Sequence, residues 1–264
     1  MMAEFNAAYF CRMNYVNLNI ESGIGTVEFF TEQSNSLPGD ILKKLASTIT
    51  EAGENPDIKV IILKSGGNRT FCAGASFDEL MAVDSPEKGH EFFMGFANVI
   101  NAMRKAPKFI IGRLQGKAVG GGIGLASATD YCFATKHSAI KLSELALGIG
   151  PFIVSAPIER KVGLSAMSQM AINPEEFFDP KWAHQKGLFG KLYDDAGSLD
   201  KAVNELAKKL AGYNPEAMTE MKKTFWRGTE HWDELLSERA EISGKLVLSD
   251  FTKEFIKKFK DKAS

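Results

Sequence analysis

The sequence predicts an α/β protein: strand–strand–helix units up to about residue 196, then a helical tail. Three observations predict it. Short continuous apolar runs at 58–63 and 109–114 have the length and composition of strands covered on both faces. A turn rich in Gly or Ser follows such runs and leads into apolar residues at helical spacing. Past residue 196 every apolar pattern is helical. The 264 residues, 44% apolar, suffice for one large domain or a domain with an appendage. We divide them into an N-terminal extension (1–14), a core (15–196) and a helical region (197–264).

Residues 15–21 and 26–30 alternate around Ser22-Gly-Ile-Gly25, which reads as a β-hairpin. Pro38 suits the first turn of a helix running to about Ala52, stopped by Gly53-Glu-Asn-Pro56. The strand at 58–63 feeds a loop and then Phe71-Cys-Ala-Gly-Ala-Ser76. A helix is expected over 86–104; its stripe of Phe92, Phe93, Phe96, Val99, Ile100 and Met103 reads as core. The strand at 109–114 leads to Gly120-Gly-Gly122 and a helix of small residues. Short strands are expected at 131–134 and 139–142, and a last one at 191–194. Helical patterns occupy 153–162, 165–171 and 180–187, then 199–210, 215–226, 231–248 and 250–259.

Composition excludes several functions. A net charge of -1 supplies no field for nucleic acid or an anionic membrane. No apolar run approaches the ~18 residues of a membrane span, and residues 1–12 lack the pattern of a secretory signal. Met13 reads as a possible functional start. Cys11, Cys72 and Cys132 are scattered and the four histidines have no metal-ligand spacing, which fits a reducing, cytoplasmic setting without metal. The glycines match neither the dinucleotide fingerprint nor the phosphate loop.

Two corners remain with chemical promise. Gly120-Gly-Gly122 lies between a strand and a helix start, where backbone N–H groups lack partners and the helix dipole favours negative charge. Phe71-Cys-Ala-Gly-Ala-Ser76 has the same character. Two N–H groups, from Ala75 and Gly121, could hold one developing oxyanion, where a single donor is worth ~3 kcal/mol of barrier. Glu144 sits among Ile140, Leu142, Leu145, Leu147 and Ile149, a setting that disfavours its charged form and suits acid–base work near neutral pH. Asp130 reads as structural, Asp78 and Glu79 as capping or solvating a short helix. Trp182, Trp226 and Trp232 read as packing or subunit contacts.

Taken in order, Phe71-Cys-Ala-Gly-Ala-Ser-Phe-Asp-Glu-Leu80, Gly116-Lys-Ala-Val-Gly-Gly-Gly122 and Ser143-Glu-Leu-Ala-Leu-Gly-Ile149 resemble the enoyl-CoA hydratase/isomerase (crotonase) superfamily. The resemblance runs from about Tyr15 to the C-terminus and is similar to bacterial hydratases of the methylglutaconyl-CoA hydratase type. It implies a crotonase-like spiral of ββα units, a trimerisation role for 197–264, and a homotrimer or dimer of trimers. It implies an acyl-CoA thioester substrate and no separate cofactor, coenzyme A being part of the substrate. Ala75 and Gly121 would supply the oxyanion hole, Glu144 the catalytic acid. Ser36, Ala73 and Phe77 would line the CoA path, with Gly124 and Phe152 at the acyl group.

Two departures stand out. The family's hydratases place a first glutamate where this chain has Gly124, and a Gly-rich run where it has Phe152-Ile-Val-Ser155. Loss of one acid favours double-bond isomerisation through Glu144 alone. The overall similarity favours hydration of a short or branched 2-enoyl-CoA, which is the expectation taken forward, with isomerisation as the alternative. A non-catalytic acyl-CoA binder would have no need of Glu144.

Overall fold

A computed structural model describes residues 14–263. Among these, six strands form the main sheet: β1 (Tyr15–Glu21), β2 (Ile24–Phe30), β4 (Val60–Ser65), β7 (Ile110–Leu114), β9 (Tyr131–Thr135) and β11 (Lys191–Tyr193). They lie in that order; β1 and β2 are antiparallel and every later neighbour is parallel. The β1–β2 turn is tighter than expected. Ser22 and Gly23 both have positive φ (51° and 80°), as a two-residue hairpin turn requires, so β2 begins at Ile24. All of β7, and β4 except Lys64, are buried, as strands covered on both faces must be.

Two smaller sheets stand beside the main one. β10 (Ile140–Lys141), β8 (Lys117–Val119) and β5 (Thr70–Cys72) pair in parallel, in that order. β3 (Ser36–Leu37) pairs in parallel with β6 (Gly74–Ala75). β8 was not foreseen, since three residues between two Gly-containing turns carry too little pattern to read.

The helices follow their sequence signals. α1 (Gly39–Glu54) starts after Pro38, and α2 (Phe77–Met81) after Ser76, whose hydroxyl accepts from the Glu79 N–H. α3 (Pro86–Lys105) is capped by Ser85, opens on Pro86 and closes on Arg104 and Lys105. α4 (Gly121–Ala128) is buried along its whole length. The pair expected at 153–162 and 165–171 is found: two helices joined at Gly163, whose φ 78° and ψ 160° are non-helical, together span Phe152–Ile172 and are labelled α5.

α6 (Pro180–Gln185) precedes β11. The tail consists of α7 (Ala196–Ala211), α8 (Pro215–Phe225), α9 (Trp232–Leu246) and α10 (Asp250–Ala263). It is fused to the core. Leu199, Val203 and Ala207 of α7 and Met218 of α8 pack with Ile24, Val60, Ile62, Phe109, Ile111 and Phe133. Trp232, Leu236 and Ala240 of α9 join the larger cluster with Phe96, Val99, Ile100 and Met103 of α3. α9 approaches α3 so closely that a Cβ on Gly89 would lie 2.7 Å from the Gly244 Cα. Behind the main sheet, Asp130 joins core to tail: its carboxylate takes the Lys222 ammonium at 3.0 Å and the Trp226 indole N–H at 2.8 Å.

Candidate active site

The small sheet aims three strand ends at one place. β5 leads to Ala73 and β6, β8 to Gly120 and α4, and β10 to Ser143 and a one-turn 3-10 helix, Glu144–Leu147. Their ends frame a cavity of about 620 Å³.

Backbone sets the first wall. Ser76 N–H donates to Leu37 O at 3.0 Å, so strand alternation turns the Ala75 N–H away from β3. Ser36 Oγ donates to Ala75 O at 2.9 Å, tying β3 to this corner. Gly74 has φ +96°, and a Cβ there would fall 3.2 Å from Val119 O and 3.8 Å from Gly121 N. The two glycine corners therefore lie so close that a single added Cβ would span the space between them. Gly120 takes φ 52°, ψ -116°, a conformation open to glycine, and donates its N–H to Lys141 O at 2.9 Å. Gly121 is the first residue of α4, so its N–H has no partner within the helix. Ala75 and Gly121 thus offer two N–H groups at the mouth of a buried helix, whose dipole adds to their pull on an anion.

Glu144 opens the 3-10 turn, which Gly148 closes with φ 80°. The residue is half-buried, but its Oε2 is sealed from solvent without a hydrogen-bond partner. A Cβ placed on Gly120 would lie 2.8 Å from Glu144 Oε1, so the carboxylate stands over the Gly120 Cα. Burial pushes the Glu144 carboxyl up to about 7, against the weaker opposing pull of the backbone N–H groups of Glu144 and Ser143. The group can hold or release a proton near neutral pH, beside the two N–H donors.

The structure brings most of the expected residues together. Ser36, Ala73, Ala75, Phe77, Gly121, Glu144 and Phe152 all line the cavity. Gly124 does not. It is buried one turn into α4, and a Cβ there would lie 2.6 Å from Val154 Cγ1. The bulky residues after Pro151 thus fill the place a first glutamate would need. Sequence reasoning also misplaced part of the α3 stripe. Phe92 and Phe93 line the cavity; Phe96 borders it but is buried in the core, as are Val99, Ile100 and Met103, as expected. Gln33, Lys141, Glu175 and, from α10, Phe255 were not foreseen as lining residues. Lys141 carried a signal, a charged residue between the buried Ile140 and Leu142. Among the described residues no His, Cys, Asp or Glu cluster could hold a metal ion, and Cys72 and Cys132 are buried free thiols. Cys11 and Met13 lie outside the described residues. Among the described residues no helix is long and apolar enough to cross a membrane.

Comparison with known proteins fits this geometry. Residues 19–263 match the family model described as enoyl-CoA hydratase/isomerase. The chain belongs to the enoyl-CoA hydratase/isomerase family. It is 30% identical over 203 residues to ethylmalonyl-CoA decarboxylase of Gallus gallus, covering 75% of this chain and 67% of that protein. It is 25% identical over 253 residues to the short-chain-enoyl-CoA hydratase of Clostridium acetobutylicum, covering 95% and 96%. The crystal structure of enoyl-CoA hydratase from Bacillus halodurans superposes with a TM-score of 0.85 at 19% identity, covering 92% of this chain and 99% of that one. The last likeness establishes the crotonase fold.

Proposed function

We propose that this enzyme moves a proton between C2 and C4 of an enoyl-CoA, with Glu144 as its single acid–base group. The thioester oxygen would accept from the Ala75 and Gly121 N–H groups. Glu144 would take a proton from C2 of a 3-enoyl-CoA, leaving a dienolate whose charge the two donors stabilise. It would return that proton to C4, giving the conjugated 2-enoyl-CoA. The observation that carries this reading is the pairing of one sealed carboxylate at Glu144 with Val154 packed where a second would stand. Phe92, Phe93, Phe96 and Phe152 in the cavity wall support a short or branched acyl group.

Hydration, the expectation from overall similarity, is the second reading. The near full-length match to a short-chain-enoyl-CoA hydratase favours it. One carboxylate would then take a proton from water, let hydroxide add at C3, and return that proton to C2. Mass spectrometry of a 3-enoyl-CoA and a 2-enoyl-CoA incubated side by side separates the two. We expect the 3-enoyl-CoA to gain conjugated absorbance with no change of mass. Uptake of one water by the 2-enoyl-CoA, with the 3-enoyl-CoA left untouched, would establish hydration instead.

We further propose that turnover needs no metal or redox cofactor; loss of activity in EDTA, restored by a divalent metal, would refute this. Exposed Leu164, Ile172, Met221, Phe225 and Ile242 support assembly into a trimer or dimer of trimers. A stable monomer in light scattering would exclude such an assembly.

A further inference from the structure

We propose that Lys141 is a specificity residue that selects acyl groups ending in a carboxylate. The inference rests on the acyl-CoA reading above and names the class of acyl group.

Ile140 of β10 and Leu142 just after it are buried in the core, so alternation sends Lys141 to the opposite face. Its register partner in β8 is Val119, which lines the cavity, and Lys141 lines it too. Among the described residues, no carboxylate lies within ion-pair distance of Lys141. Its Nζ rests 5.2 Å from the centre of the Phe177 ring, which also carries Lys117 Nζ at 4.7 Å. A ring that holds two ammonium groups keeps them close together, and each raises the local potential for an anion. Two acids share the cavity wall with Lys141: Glu175, which is exposed and therefore screened by water, and Glu144, whose charged form burial disfavours. The rest of the wall is mostly apolar, and Lys141 lines it without an ion-pair partner among the described residues, so an anionic acyl end that reaches this wall has a cation beside it.

The partner could be a carboxylate on the acyl chain or a phosphate of coenzyme A. Strand order favours the first. β5, which leads to Ala73 and Ala75, and β10, which leads to Glu144, are the two edges of the small sheet, about 10 Å apart across β8. The thioester oxygen is held over the middle strand's end, at Gly121. With coenzyme A on the Ala73 and Ser36 side, the acyl chain runs toward Glu144 and Lys141.

Calorimetric binding of glutaryl-CoA and pentanoyl-CoA tests this without turnover. The two esters have equal chain length, with a carboxylate in place of a methyl. Wild-type protein should bind glutaryl-CoA roughly 10- to 100-fold more tightly, the range of one charge-assisted hydrogen bond. Lys141→Met should erase the preference and Lys141→Arg should keep most of it. Equal wild-type affinities, or a preference that survives Lys141→Met, would overturn the proposal. Equal weakening of both esters by Lys141→Met would place the lysine at a phosphate and overturn it as well. If neither ester binds, the acyl-CoA reading itself has failed.

Discussion

Glu144 and Gly120 meet without room between them: a Cβ on Gly120 would lie 2.8 Å from Glu144 Oε1. The carboxylate is thereby held against the backbone that leads into the free N–H of Gly121. Gly120→Ala should expel the carboxylate and strain a backbone at φ 52°, ψ -116°. We expect activity to fall at least 100-fold and the melting temperature to drop. An active, fully stable alanine variant would show that Glu144 is not seated there in solution.

Glu144→Gln should lower turnover by about 100-fold or more, since acid–base catalysis is typically worth 10²–10⁴. Coenzyme A ester affinity should survive, because both oxyanion donors are backbone groups. Calorimetry with a saturated acyl-CoA, run beside the rate measurement, checks both halves. Near wild-type rates on every enoyl-CoA tried would remove Glu144 from the mechanism.

The pH dependence has a definite sign. A base must start deprotonated, so kcat/KM should rise through about 7 and level off above it. Stability moves the other way. The folded carboxyl is raised from 4.5 to about 7, so it holds a proton that the unfolded chain has released. Stability from this group is present at low pH and lost as pH rises through about 7. Glu144→Gln should therefore gain on wild type between pH 5 and pH 8, by at most about 3 kcal/mol. Urea midpoints at the two pH values measure it; a constant difference between the proteins would contradict the burial of this group.

Gly124→Glu is the obvious way to rebuild the two-acid arrangement of hydratases, and the structure argues that it fails alone. The new side chain would run into Val154 Cγ1, and overpacking of this kind typically costs about 1–3 kcal/mol. Paired with Val154→Gly, it should regain part of that stability and raise water addition relative to isomerisation. Product ratios from the double variant decide this. A well-tolerated single variant with hydratase activity would mean that Val154 can yield.

Lys222→Met should cost about 3–5 kcal/mol, the usual penalty for stripping one partner from a buried ion pair. Asp130 would keep the Trp226 indole and the Ile110 N–H, while Met103 O and Lys108 O would lose the donor they share. Denaturant titration measures the loss, and adding Asp130→Asn should return part of it. A loss below about 1 kcal/mol would mean that α8 is held to the core by its apolar contacts.

What could be read from sequence followed the strength of local signals. α3 announces itself through Ser85, Pro86 and its closing Arg104 and Lys105, and Gly163 marks the break in α5. β7 was readable because residues 109–114 are apolar apart from Arg113, a run of strand length. The site was legible where it is made of backbone, because glycine is needed there whatever the acyl group. Its apolar wall was not. Phe92 and Phe96 have the same spacing as Val99 and Met103, and periodicity cannot tell a cavity from a core when both exclude water. Val154 was opaque for another reason: its contact with Gly124 joins two helices that meet only in the folded chain.

The close approach of Gly74 to Val119 O and Gly121 N has an evolutionary consequence. Between the Ala75 and Gly121 N–H groups the two stretches of main chain leave room for about one added Cβ, with no side chain as a spacer. Drift in Phe92, Lys141, Phe152 or Val154 therefore leaves that gap unaltered. Substitution at the glycines themselves is closed off by steric exclusion. Under the proposed function, capture of a thioester is thus insulated from selection on the reaction that follows it. Such a lineage can trade one enolate chemistry for another, a proton shift, a water addition or a decarboxylation, without passing through a form that has lost its substrate.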